Sequence, residues 1–139
     1  MMNQHLLHLL NQQTRLLAKE INNRLSDHGL YSSQWSIIFC LNRFGPMTQT
    51  AIWKYLNVEA PTITRTLSRM EKNGWIIRKQ GNDKRERIIE LTNFAKKEFK
   101  YIRKKMDQFE MEMLEDLSKE EKEQLKTLLL KLKTSRENT

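Results

Sequence analysis

The stretch that decides the fold runs from residue 60 to residue 91, APTITRTLSRMEKNGWIIRKQGNDKRERIIEL. Its first half has helical period: Ile63, Leu67 and Met70 recur at steps of 4 and 3, so they share one side, and Thr62, Thr64, Arg65, Ser68 and Arg69 point away. Pro61 suits a first helical turn, where no intrahelical partner is lost, and Asn73-Gly74 closes the helix. The period then changes. Trp75 to Gln80 and Arg85 to Leu91 are short runs rich in Ile and basic side chains, separated by Gly81-Asn82-Asp83-Lys84, and they predict a hairpin of two strands.

Upstream, Asn3 to Asp27 carries apolar residues at helical spacing (Leu7, Leu10, Leu17, Ile21, Leu25), and Asp27-His28-Gly29 ends that helix. Ser32 or Ser33 can cap a second helix with Trp35, Ile38, Phe39 and Leu41 packed inward, stopped by Gly45-Pro46. Thr48 opens a short third helix bearing Ala51, Ile52, Tyr55 and Leu56. Downstream, Ala95, Phe99, Ile102, Met106, Phe109, Met113 and Leu117 form a long apolar seam, and Ser118 with Glu121 is a capping box that starts a last helix with Leu125, Leu128, Leu129 and Leu132. The fold class expected is mainly α with a small two- or three-stranded β-wing. Residues 31–92 form a winged helix-turn-helix lobe, and 1–30 with 93–139 form a helical dimerisation lobe.

In that order of elements the second helix of the motif, here the one from Ala60, is expected to enter a DNA major groove. Hydroxyls near its start bond phosphates or base edges, and Arg65 and Arg69 can grip guanine with two parallel bonds. Lys84, Arg85 and Arg87 sit at or beside the hairpin tip, positioned for a minor groove. Asp83, which would repel phosphate, is expected to accept a bond from Arg85 or from loop amides and so stiffen the turn. The competing reading is a winged-helix module that meets nucleic acid through charge alone, or that binds protein.

Composition agrees with a polyanionic partner. The 139 residues hold 25 Lys and Arg against 17 Asp and Glu, a formal charge of +8. Residues 96–105 carry six basic side chains and one acidic, whereas 106–123 carry two basic and eight acidic, so the basic part of this segment can face phosphate. No apolar run approaches the length of a membrane span, and four Gly with two Pro exclude a turn-dense β architecture. The start MMNQHLLHLL has no secretory pattern, and the single cysteine, Cys40, cannot form an internal disulfide, so a cytoplasmic protein is expected. His5, His8 and His28 are the only histidines, and the i, i+3 pair His5/His8 lacks a nearby carboxylate; no metal and no cofactor is expected. No nucleophile with a base, phosphate loop or paired carboxylates indicates an enzyme.

Several of these segments carry a family resemblance: Met47-Thr48-Gln49, Leu56-Asn57-Val58, Pro61-Thr62-Ile63-Thr64-Arg65, Met70 through Ile76, and Asp83-Lys84-Arg85 through Ile89-Glu90-Leu91-Thr92. Together they resemble the MarR family of bacterial transcription regulators over essentially the whole chain. The resemblance implies a homodimer, usually a repressor, on a pseudo-palindromic operator of double-stranded DNA. It assigns DNA contacts to Thr64, Arg65 and the wing Arg85, followed by Arg69 and Thr62. It also implies a small aromatic effector in a cleft, for which Arg15, Trp35, Phe39 and Cys40 lie on suitable helices. Three positions depart from the family pattern: Glu59 replaces a small capping residue, Asn57 a turn glycine, and Ala95 a glycine after Leu-Thr.

A wing-bearing lobe of about 45 residues cannot cover the apolar sides of three further helices. Leu6, Leu9, Leu10, Leu125, Leu129 and Leu132, with Met2, are therefore expected at a dimer interface, the alternative being a helical bundle within one chain.

Overall fold

The computed structural model describes residues 1–83 and 85–133; Lys84, expected in the wing, lies outside them. The elements follow as α1 (Met2–Leu25), a 3-10 turn (Ser26–His28), α2 (Ser32–Phe44), β1 (Met47–Thr48), α3 (Gln49–Leu56), α4 (Ala60–Lys72), β2 (Ile76–Gln80), β3 (Arg87–Leu91), α5 (Asn93–Leu114) and α6 (Lys119–Lys131). The chain divides into two compact units, residues 1–103 and 104–139, with α5 running through the division.

In the first unit, α2, α3, α4 and a three-stranded antiparallel sheet of order β1-β3-β2 share a core. Ile37, Ile38 and Cys40 from α2, Ile52 from α3, Ile63, Leu67 and Met70 from α4, and Ile76 and Ile89 from the sheet are buried in it. The steps of 4 and 3 read in the sequence therefore do mark the inner side of α4. β3 pairs with β2 from Ile76↔Leu91 to Gln80↔Arg87, and with β1 at Met47↔Ile89 and Thr48↔Ile88. Lys79 Nζ reaches Glu90 Oε1 at 2.6 Å across the hairpin. Trp35 stacks on Phe99 of α5, with ring centroids 5.6 Å apart.

The third strand comes from Met47 and Thr48, where sequence periodicity shows only a helix start. Thr48 serves both elements, because its backbone is extended while its Oγ1 accepts from the Ala51 N–H at 3.1 Å and caps α3. Two residues are too short a run to register as alternation.

Other boundaries move for local reasons. α1 stops at Leu25, and the 3-10 turn carries the chain to Gly29, which takes the expected left-handed conformation at φ 68°. Neither Ser32 nor Ser33 caps α2. Its N-cap is Tyr31, whose N–H donates to Gln34 Oε1, while the Ser32 N–H is taken by Asn22 Oδ1 of α1 at 2.6 Å. Phe39 is half-buried rather than packed inward. Trp75 precedes β2, its N–H closing the end of α4 on the Met70 carbonyl, and Arg85 and Glu86 belong to the wing turn rather than to β3. Asn57 adopts the left-handed conformation (φ 55°) that a glycine would otherwise supply.

In the second unit, α5 ends at Leu114, short of Leu117. Met106 and Phe109 are buried, but Met113 is exposed, so the apolar seam is narrower than its spacing suggests. Ser118 and Glu121 form the reciprocal capping box that opens α6, with bonds of 3.1 and 2.9 Å. The Glu121 carboxyl is held below its usual range first by the Ser118 backbone N–H. Leu132 is the C-cap of α6, in extended backbone, and not part of the helix.

Candidate nucleic-acid interface

α4 buries one side and leaves the other in solvent. Thr62, Thr64, Arg65, Ser68 and Arg69 are all exposed, and no hydrogen bond or ion pair to another described residue engages the Arg65 or Arg69 side chain. The hydroxyls are less free. Thr64 Oγ1 donates to the Ala60 carbonyl and accepts from Gln49 Nε2 of α3 at 2.7 Å. Ser68 Oγ donates to the Thr64 carbonyl and accepts from Arg78 Nη2 of β2 at 3.0 Å. Glu59 caps α4 without a side-chain bond, so its carboxylate acts on the helix start through charge alone.

The wing is a tight turn. Asp83 Oδ1 accepts from the Arg85 N–H at 3.0 Å, and the Asp83 carbonyl accepts from the Glu86 N–H at 2.9 Å. Of the two partners expected for Asp83, the loop amide is the one observed. Its carboxylate is thereby turned to the backbone and stiffens the tip. Gly81 is required by close approach: a Cβ there would lie 2.9 Å from the Glu86 Cβ. Arg85 and Arg87 are exposed, and with Thr48, Gln49, Thr50, Trp53 and Glu86 they line an open cleft of about 530 Å³ between the start of α3 and the wing. Basic groups from the hairpin thus stand beside hydroxyl and amide groups from α3. Gln49, Thr50 and Arg78 were not singled out from the sequence as site residues. Their parts depend on which elements become neighbours, and only the resemblance touched one of them, through Met47-Thr48-Gln49.

The residues expected to line an effector cleft are placed differently from one another. Trp35 is buried and stacked, and Phe39 is half-covered with the Arg103 guanidinium 5.3 Å from its ring centroid. Cys40 is core, its Sγ donating to the Ile37 carbonyl at 3.2 Å, and burial pushes its thiol up to about 11. Arg15 stands exposed on α1 and donates to Gln12 Oε1. Among the described residues no group of three or more His, Cys, Asp or Glu side chains gathers to hold a metal, and no helix is long and apolar enough to cross a membrane.

A helix-turn-helix with one helix face free, flanked by a braced basic hairpin, defines the winged helix-turn-helix transcriptional regulators. Comparison with known proteins narrows the class. The sequence profile of the MarR family matches residues 30–86. The uncharacterized HTH-type transcriptional regulator YwoH of Bacillus subtilis (strain 168) is 55% identical over 121 residues, 87% of this chain and 88% of its own. Among solved structures, reduced AbfR bound to DNA matches with a TM-score of 0.74 and 25% identity, covering 92% of this chain and 96% of that one. The ligand-free organohalide-sensing regulator RdhR has a TM-score of 0.85 at 22% identity over 94% of this chain and 79% of its own, a likeness of fold. The chain belongs to the MarR family, and so to transcriptional regulators rather than enzymes.

Proposed function

We propose that the protein is a cytoplasmic, homodimeric repressor that binds a pseudo-palindromic operator in double-stranded DNA, α4 lying in the major groove and the wing at the adjacent minor groove. The observation that carries this reading is the pair Arg65 and Arg69. Both are exposed and unengaged by other described side chains, on a helix whose opposite side buries Ile63, Leu67 and Met70. A guanidinium held this way offers two parallel donors to guanine O6 and N7. The exposed Arg85 and Arg87 beside the stiffened wing turn suit phosphate or a narrow minor groove. The DNA-bound state of AbfR lends support from a relative of similar fold.

The dimer rests on apolar surface. Leu6 and Leu9 of α1 are each 56% exposed, and Leu129 near the end of α6 is 46% exposed. Leu125 and Leu132 are exposed too, and Leu10 is half-buried. That much leucine in water on an isolated chain calls for a partner, and a second copy supplies the two-fold symmetry that half-sites require. In this reading residues 1–30 and 93–139 serve dimerisation and 31–92 serve DNA. Trp35 and Cys40 are buried in the core of the first unit.

The test is selection of bound sequences from a random duplex pool, followed by titration of the winning duplex against an unrelated one at several salt concentrations. A two-fold symmetric site and a specific-to-nonspecific ratio of at least about 10³ are expected. A pool without a motif, together with affinity that falls equally on both duplexes as salt rises, would establish binding by charge alone.

A further inference from the structure

Arg78 lies on β2, outside the helix that carries the exposed arginines, and its side chain is only 21% exposed. Its Nη2 donates to the Thr64 carbonyl at 3.3 Å and to Ser68 Oγ at 3.0 Å. Its Nε is buried without a hydrogen bond and stands 4.0 Å from Glu71 Oε1, within ion-pair range. One guanidinium from the sheet therefore touches three successive turns of α4, at residues 64, 68 and 71. On the same side of α4, Gln49 of α3 holds Thr64 Oγ1. Thr64, Ser68 and Glu71 form a row at steps of 4 and 3, while Thr62, Arg65 and Arg69 form a neighbouring row at steps of 3 and 4. The first row is tied to the sheet and to α3. The arginines of the second have no such tie.

We propose that Arg78 is a positioning residue for sequence recognition: by gripping the row Thr64, Ser68 and Glu71, it sets the rotation of α4 about its axis and aims Arg65 and Arg69 at the bases. Ser68 is accordingly part of the brace and does not read a base. The physical case rests on leverage. A helix packed through Ile63, Leu67 and Met70 can roll on those apolar contacts at small cost, because they have no direction. A planar guanidinium with fixed donor angles resists the roll. A roll of about 20° displaces an arginine tip by a few ångströms, enough to break a bidentate bond to guanine. The proposal rests on the DNA reading above and deepens it.

The test uses the full chain with Arg78→Lys, Arg78→Met and Ser68→Ala, each first matched to the wild type by thermal melting. Affinity is then measured for the selected duplex and for a random one across salt. Arg78→Lys keeps the charge and loses the fork. Both Arg78 variants are expected to lose about tenfold in the specific-to-nonspecific ratio while the salt slope stays put, because no phosphate contact is removed. Hydrogen exchange over α4 in the absence of DNA should rise in Arg78→Met. Ser68→Ala should weaken the ratio mildly across the whole site rather than at one base pair.

An equal loss on both duplexes, with the slope reduced by about one, would make Arg78 a phosphate contact and overturn the proposal. So would Arg78→Lys and Arg78→Met variants with unaltered ratios, or relaxation of a single base pair by Ser68→Ala. A wild-type protein with no preferred duplex overturns the DNA reading itself, a result distinct from any of these.

Discussion

Thr92 Oγ1 donates to the Gly74 carbonyl at 2.6 Å, joining the residue that follows β3 to the residue just past the end of α4. The same oxygen accepts from the Ala95 N–H at 3.0 Å and so caps the first turn of α5. One hydroxyl fixes the wing's inner end to the end of the exposed helix and starts the helix beyond. Thr92→Val keeps the shape and removes both bonds. A loss of about 1–2 kcal/mol is expected in urea unfolding, since a cap and a half-buried hydrogen bond go together. Thr92→Ser should recover most of it.

Arg65 and Arg87 are expected to fail in different ways. Arg65→Ala should cost about 1–3 kcal/mol on the preferred duplex and relax one position of the selected site, leaving nonspecific binding nearly intact. Arg87→Ala should weaken every duplex alike and lower the salt slope by about one. Titration of both duplexes at three or more salt concentrations separates the two. Equal behaviour of the two variants would contradict the assignment of α4 to base reading and the wing to backbone.

Cys40 is 1% exposed, and burial holds its thiol near 11, above the ordinary range of about 8.5. The unfolded chain therefore loses this proton first. Between about pH 9 and about pH 11 it binds fewer protons than the folded one, and this group's contribution to stability declines as pH rises. Below about pH 8 that contribution is complete and flat. The check is thiol modification at pH 8: reaction with an aromatic disulfide reagent should proceed at the rate of protein opening, and prompt reaction in native buffer would contradict it.

Leu9→Glu and Leu129→Glu address the subunit contact. Each places a carboxylate on exposed apolar surface of a single chain, where it would be harmless to an isolated subunit. Sedimentation equilibrium at micromolar concentration should show two subunits for the wild type and a shift toward one for each variant, with near-normal melting of the wing lobe. Unchanged mass in both variants would place the interface elsewhere.

Much of this architecture is legible from periodicity. Steps of 3 and 4 at Ile63, Leu67 and Met70 separate the inner and outer sides of α4, because a 3.6-residue turn leaves no other assignment. The Ser118 and Glu121 box is equally local, made of two side chains and two backbone amides within one turn. Asp83 at the wing belongs here as well, since an aspartate bonding an amide two residues on is a short-range habit. Where reading failed, the cause was a competitor from elsewhere in the chain. Asn22 of α1 satisfies the Ser32 amide and leaves Tyr31 as the cap of α2, and β3 draws Met47 and Thr48 into a strand too short to show in any pattern.

By itself, then, the sequence determined which side chains of α4 are inside and outside, where its helices begin and end to within a few residues, and the excess of positive charge. Such properties follow from neighbours three or four residues apart. Only the tertiary structure decided that Gln49 meets Thr64 and Arg78 meets Ser68, pairs 15 and 10 residues apart. Hydrogen bonds of that kind have direction as well as strength, and their partners exist only after the apolar core has brought separate elements side by side.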